Sequence, residues 1–170
     1  LCNEAVLREQ DGEWRMEGDP TEGALLTLAH KANLDLAAER ERFHRVDSIP
    51  FESEHRFMAT LHHDHHGHGF LYVKGAPERV LAMCARELGD TGPQPLRPDY
   101  WRDRIEELAT LGQRVLAVAF RATAETRGEL TFEDVEEGLT LLGLLGISDP
   151  PREEAIRAVR QTRQAGIRGK

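Results

Sequence analysis

Apolar and polar positions along this chain change period several times, and each change marks an element. From Asp19 to Asn33, Leu25, Leu28, Ala29 and Ala32 recur at helical spacing. Asp19 is the predicted cap, Pro20 suits the first helical position, and Glu22 stands where a capping-box glutamate would. A second helix is predicted over "LDLAAERERF", with Asp35 as its cap. "HRVDSIPF" reads as a strand, with Pro50 breaking it near its end. "FMATLHH" and "GFLYVKG", separated by a short His/Asp/Gly segment, predict a β-hairpin. "PERVLAMCAREL" predicts a helix starting at Pro77, and "GDTGPQPLRP" a loop dense in Gly and Pro. In "DYWRDRIEELATLG", Trp101, Ile105, Leu108 and Leu111 share one helical face and Gly112 ends it.

"QRVLAVAFRA" and "LTLLGLLGIS" predict strands buried on both faces, with the acidic "FEDVEEG" between them as a surface turn or short helix. "DPPREEAIRAVRQTRQAG" predicts a last helix, and the "GI" after it reads as the start of a further strand. The expected picture is a segment cut from a larger protein. Hairpins interrupted by pairs of helices place the chain in the α+β class rather than in a regular βαβ series.

Composition narrows the chemistry. The chain has 170 residues, enough for one domain with a substantial core. No apolar run approaches the roughly 20 residues that span a bilayer, and residues 1–10 do not read as a signal peptide. The formal net charge of -8 argues against a nucleic-acid partner, which needs a basic face. Any polyanion site must be local, built from a few basic residues in an acidic surround. Cys2 and Cys84 have no metal-ligand spacing and are expected as free thiols.

Several nucleotide and catalytic motifs are missing: no GxxxxGK[ST], no GxGxxG, no HExxH, no GxSxG and no CxxC. The candidates that remain are individually open. "HHDHHGHG" holds five histidines in eight residues, His62, His63, His65, His66 and His68, which is either a solvated turn or a metal-binding module. Lys74 is either an edge lysine or an anion contact, and Glu22 a capping residue or a site residue. Phe51 is either core or a stacking platform, and Arg114 enters an apolar strand where a charge needs a partner.

Together "GDPTEGALL", "PFESEHRFMATL", "YVKGAPERVL", "GQRVLAVAFR" and "LLGLLGISDPPREEAIRAVRQTRQAGI" resemble, in order, the nucleotide-binding domain of P-type cation-transporting ATPases. "LCNEA" resembles the segment leading into that domain. The stretches run from residue 18 to residue 167, and the KGAPE and DPPR blocks are the specific ones. The resemblance implies a twisted, mainly antiparallel sheet flanked by helices over residues 1–147. Residues 148–170 would be the hinge, Asp149, Pro150, Pro151 and Arg152, and the first helix of the phosphorylation domain.

It further implies that Phe51 stacks on adenine, with Lys74 lining the pocket and Gly75 letting the base approach the backbone. Glu22 would bond near the adenine amino group with Asp19 close by. Met58 would close the pocket, Arg114 reach the phosphates and Leu116 lie beneath the base or ribose. The ligand is ATP, as Mg-ATP in a parent protein that also carries phosphorylation, actuator and transmembrane domains on the cytoplasmic face of a membrane. No catalytic or metal-binding residue is expected in this part, and no direct membrane contact.

One departure limits what the resemblance implies about phosphate contact, and several absences narrow the branch of the family. Ser53 occupies the position, two after the stacking aromatic, where the family often has a basic residue, with His55 and Arg56 further on. DKTGT, TGD and GDGxND are absent, as expected of the inserted domain alone, and the missing His-Pro dipeptide points away from heavy-metal pumps toward calcium-, sodium/potassium- or proton-type pumps. A metal module built on the histidine-rich turn is the alternative function.

Overall fold

A computed structural model describes residues 1–10, 13–123 and 127–148. Nine strands and four helices lie among them: β1 Val6–Gln10, β2 Glu13–Glu17, α1 Pro20–Lys31, α2 Leu36–Arg42, β3 His44–Ile49, β4 Phe57–His63, β5 Gly69–Gly75, α3 Pro77–Met83, β6 Cys84–Gly89, β7 Gly92–Pro95, α4 Pro98–Thr110, β8 Arg114–Thr123 and β9 Leu139–Ile147. The predicted hinge and last helix fall outside the described residues.

Seven strands form one sheet in the order β3-β4-β5-β8-β9-β6-β7, and β1 and β2 pair separately. All neighbours are antiparallel except β6 and β9, which run parallel. This is the expected α+β architecture. The β4–β5 hairpin forms as its alternation predicts, with Phe57 opposite Gly75 and His63 opposite Gly69.

Strand register sorts the side chains between two faces, because directly opposed residues point the same way. Phe57, Ala59, Leu61, Leu71, Val73, Ala117 and Ala119 face the main core, which Val80 and Met83 of α3 and Leu139 and Leu141 of β9 complete. Met58, Thr60 and His62 of β4 point to the opposite face and are also buried, so β4 is covered on both sides. Phe43, just after α2, covers one end of that second face, its ring 5.2 Å edge-on to Phe70. The start of α1 covers the other end, through a contact between Glu22 and Lys74.

Four expectations need correction. Helix α1 buries Gly23 and Leu26, while Leu28 is half exposed, so the buried stripe is rotated from the predicted one. The helix from Pro77 stops at Met83, and the predicted continuation and loop form β6 and β7 instead. That override is tertiary: Cys84–Glu87 pairs with β9, a partner some fifty residues away that no local pattern announces. Strands β8 and β9, predicted as buried on both faces, are buried only at Ala117 and Ala119 and at Leu139 and Leu141, while Ala122, Leu142 and Gly146 are exposed. Finally, residues 1–18, for which no element was predicted, contain β1 and β2; the Asp11-Gly12 dipeptide between them was the available hairpin signal.

Candidate functional site

The residues singled out from sequence gather at one end of the sheet. Met58 on β4 is opposite Lys74 on β5, which is opposite Val118 on β8. Leu116 and Arg114 follow on β8, on the same face as Val118 and stepping outward to the strand's start. Phe51 lies just beyond β3, whose last residue, Ile49, pairs with Ala59, so the loop carrying it leaves the sheet at this same end. Phe51 is 58% exposed, unlike the rings of the core.

Lys74 is buried, 7% exposed, and its Nζ donates to Glu22 Oε1. A lysine this deep needs an acceptor, because an unpaired buried ammonium carries a desolvation penalty of several kcal/mol. The sequence supplies that acceptor from α1. Asp19 caps the helix alone, accepting from Thr21 N at 2.8 Å and Glu22 N at 3.3 Å. The Glu22 carboxylate is therefore turned away from the capping box. Its Oε2 accepts from the backbone of Glu4 at 3.2 Å and Ala5 at 3.1 Å, and its Oε1 from Lys74.

Arg114 reaches the same helix start, donating from Nη1 to Thr21 Oγ1 at 2.9 Å. Desolvation pushes the Asp19 carboxyl up, but hydrogen bonds from Thr21 and Glu22 and the Arg114 charge hold it below its ordinary value. Asp19 thus stays anionic next to the guanidinium. Met58 is fully buried and its carbonyl accepts from Cys2 Sγ at 3.6 Å.

Gly75 owes its identity first to the fold. A Cβ there would lie 2.5 Å from Arg56 O and 2.7 Å from Phe57 Cα, so the hairpin itself excludes a side chain. Arg56, with φ of 56°, turns the Phe51 loop into β4, and its carbonyl accepts from Ala76 N at 2.9 Å. This ties the loop to the KGAPE turn. Ser53 in the loop is neutral, whereas Arg56 pairs with Glu78 at 2.6 Å.

Sequence reasoning missed the Leu1–Ala5 segment as part of this site. Asn3, 7% exposed, donates from Nδ2 to Glu22 O at 2.9 Å and accepts from Ala5 N at 2.8 Å. Arg45 on β3 donates to Leu1 O at 2.9 Å and to Asn3 O at 2.6 Å. The quoted "LCNEA" resemblance was the only signal for it.

The histidine-rich stretch divides differently. His62 and His63 belong to β4, and only His65, His66 and His68 stand in the turn with Asp64. Asp64 closes that turn, accepting from His66 N at 2.8 Å, His68 N at 2.9 Å and His68 Nδ1 at 2.9 Å. Among the described residues no three His, Cys, Asp or Glu side chains converge as a metal site. Cys2 and Cys84 are free thiols, as expected.

A mainly antiparallel α+β sheet of this topology is the architecture that the resemblance implied. Comparison agrees: the chain belongs to the family described as "P-type ATPase, cytoplasmic domain N", which it matches over residues 1–154. It is 42% identical to "Cation-transporting ATPase pma1" of Synechocystis over 98% of its length and 18% of that protein's. It is 40% identical to "Probable cation-transporting ATPase F" of Mycobacterium tuberculosis over 97% of its length and 18% of that protein's. Against a "Calcium-transporting ATPase" of Bacillus subtilis the figures are 34%, 99% and 19%. The chain thus spans about a fifth of the length of these relatives. No described helix is long and apolar enough to cross a membrane.

Proposed function

We propose that this domain holds the adenosine end of ATP and presents the γ-phosphate to an aspartate on a separate phosphorylation domain of a membrane-embedded cation pump. The observation that carries this reading is a buried ammonium, Lys74, at the same sheet end as an exposed ring, Phe51. Adenine would stack on Phe51, with Met58, Gly75 and Leu116 as the apolar surround. Lys74 and Glu22 would supply polar contacts to the base, and Arg114, near Asp19, would face the phosphates. In the parent, Mg-ATP is the ligand. Residues 1–147 form the binding unit, and Asp149, Pro150, Pro151 and Arg152 form the hinge about which it swings. That arrangement sets the domain on the cytoplasmic side, next to phosphorylation, actuator and transmembrane domains.

The chemistry asked of this domain is positioning. Holding one end of ATP converts an encounter of two reactants into a movement within one molecule, which raises effective concentration and fixes orientation. The neutral Ser53, in place of a basic residue, predicts weak phosphate contact, and the dissociation constant for ATP is expected on the order of 0.1–10 mM. Weak binding suits a carrier that must later let the adenosine go.

Base–aromatic stacking is worth about 1–3 kcal/mol. Phe51→Ala is therefore expected to weaken ATP binding at least about fivefold, and Lys74→Ala comparably, in a titration followed by amide chemical shifts. Both variants binding ATP like the unsubstituted chain would overturn the reading.

A further inference from the structure

The Glu22 carboxylate has two competing destinations. On an isolated helix capped at Asp19, it would turn back to the backbone N–H of the cap residue. In the folded chain it turns outward, because Glu4 N and Ala5 N both donate to Oε2 and leave Oε1 for Lys74. The Leu1–Ala5 segment therefore decides which way Glu22 points.

What holds that segment is a short set of polar contacts. Asn3 uses both ends of its amide, one on Glu22 O and one on Ala5 N. Arg45 pins the carbonyls of Leu1 and Asn3 from β3. Ala5 is fully buried against Gly18, where a Cβ would come within 3.0 Å of Ala5 Cα. A cavity of about 360 Å³, lined by Leu1, Asn3, Arg45 and His62 among others, lies beside the segment. On that side the hydrogen bonds, added to the burial of Asn3 and Ala5, hold the segment in place.

We infer that Asn3 is a positioning residue of the nucleotide site: it holds the Leu1–Ala5 segment so that Glu22 faces Lys74 rather than its own helix start, with Arg45 assisting from β3. This rests on the nucleotide-binding reading above. Asn3 reaches the site through Glu22, directly at Glu22 O and through Ala5 N, the donor that Asn3 Oδ1 and Glu22 Oε2 share, so its effect must disappear once Glu22 has lost the charge that Lys74 pairs with.

The test is a double-mutant cycle on the 170-residue chain, with ATP affinity measured by chemical-shift titration and folding checked by urea unfolding. Asn3→Ala and Glu22→Gln are each expected to weaken ATP binding about fivefold, with the double variant no weaker than Glu22→Gln alone. A purely structural role for Asn3 predicts additive losses instead, and additivity, or unchanged affinity in Asn3→Ala, overturns the inference. Should Asn3→Ala fail to fold, Arg45→Met in the same cycle decides. It removes an exposed guanidinium rather than a buried amide, and the same coupling to Glu22 is required of it. If Glu22→Gln and Lys74→Ala both bind ATP normally, the nucleotide reading itself has failed; if they weaken binding while the Asn3 and Arg45 variants do not, only the positioning role has.

Discussion

Two buried side chains show how environment sets charge at single residues. His62 is 2% exposed, with Nδ1 facing Phe43 O at 3.1 Å and Nε2 buried without a hydrogen-bond partner. Burial pulls its pKa from 6.5 down to about 4, against the hydrogen bond to Phe43. The unfolded chain takes up this proton as pH falls through 6.5, and the folded chain only near 4. Stability contributed by His62 is therefore present above pH 6.5 and lost between there and pH 4. Urea midpoints at pH 7 and pH 5 should differ less in His62→Gln than in the parent chain. Glu87 behaves as an acid of the opposite kind. Burial raises it, but donors from Arg97, Trp101 and Gln94 prevail and hold it at about 2 instead of 4.5. Its contribution is complete above pH 4.5 and disappears as pH falls toward 2. Glu87→Gln leaves those donors without a charged acceptor and should cost about 2 kcal/mol at neutral pH, seen as a lower urea midpoint. It should also remove the acid-dependent loss between those two pH values.

At the scale of elements, the β4–β5 hairpin and the turn after it carry the most information per residue. Gly75 cannot accept a side chain without moving Arg56 or Phe57, both in the strand opposite or its lead-in. Gly75→Ala is expected to lower stability by about 1–3 kcal/mol, measured by urea unfolding. The hairpin, α1, α2 and α4 were legible from local period and caps, since a cap residue and its helix are neighbours in sequence. Helix α1 nevertheless buries Gly23 and Leu26 rather than the predicted stripe, because tertiary contacts, Met16 of β2 against Gly23 among them, select the face. The β6–β7 hairpin was not legible at all. Glu87 sat in a predicted helix, and only its pairing beside β9, with Arg97 and Trp101 arriving from the start of α4, turned it into a buried acceptor for four donors.

For the molecule as a whole, β8 lies in the middle of the seven-stranded sheet, and the candidate site uses one end of it. The two sheet faces differ in use: one buries the main core, and the other meets α1 and the first five residues around Lys74. The proposed role is to carry the nucleotide rather than to cleave it. Incubated with Mg-ATP, the chain should release phosphate no faster than buffer, while still showing nucleotide-dependent shifts. Measurable turnover lost on Lys74→Ala would contradict the carrier role.

The sequence by itself determined the fold class, the family resemblance and most helix and strand identities, because period, capping and turn chemistry act between near neighbours. It also named Phe51, Met58, Lys74, Gly75, Arg114 and Glu22 together, through motifs far apart in the chain. Only the tertiary structure decided where the Glu22 carboxylate points, that Asn3 and Arg45 stand behind it, and that residues 84–95 are strands. Each of those outcomes depends on a partner distant in sequence, and a competition between local and remote hydrogen bonds is settled only when both are present.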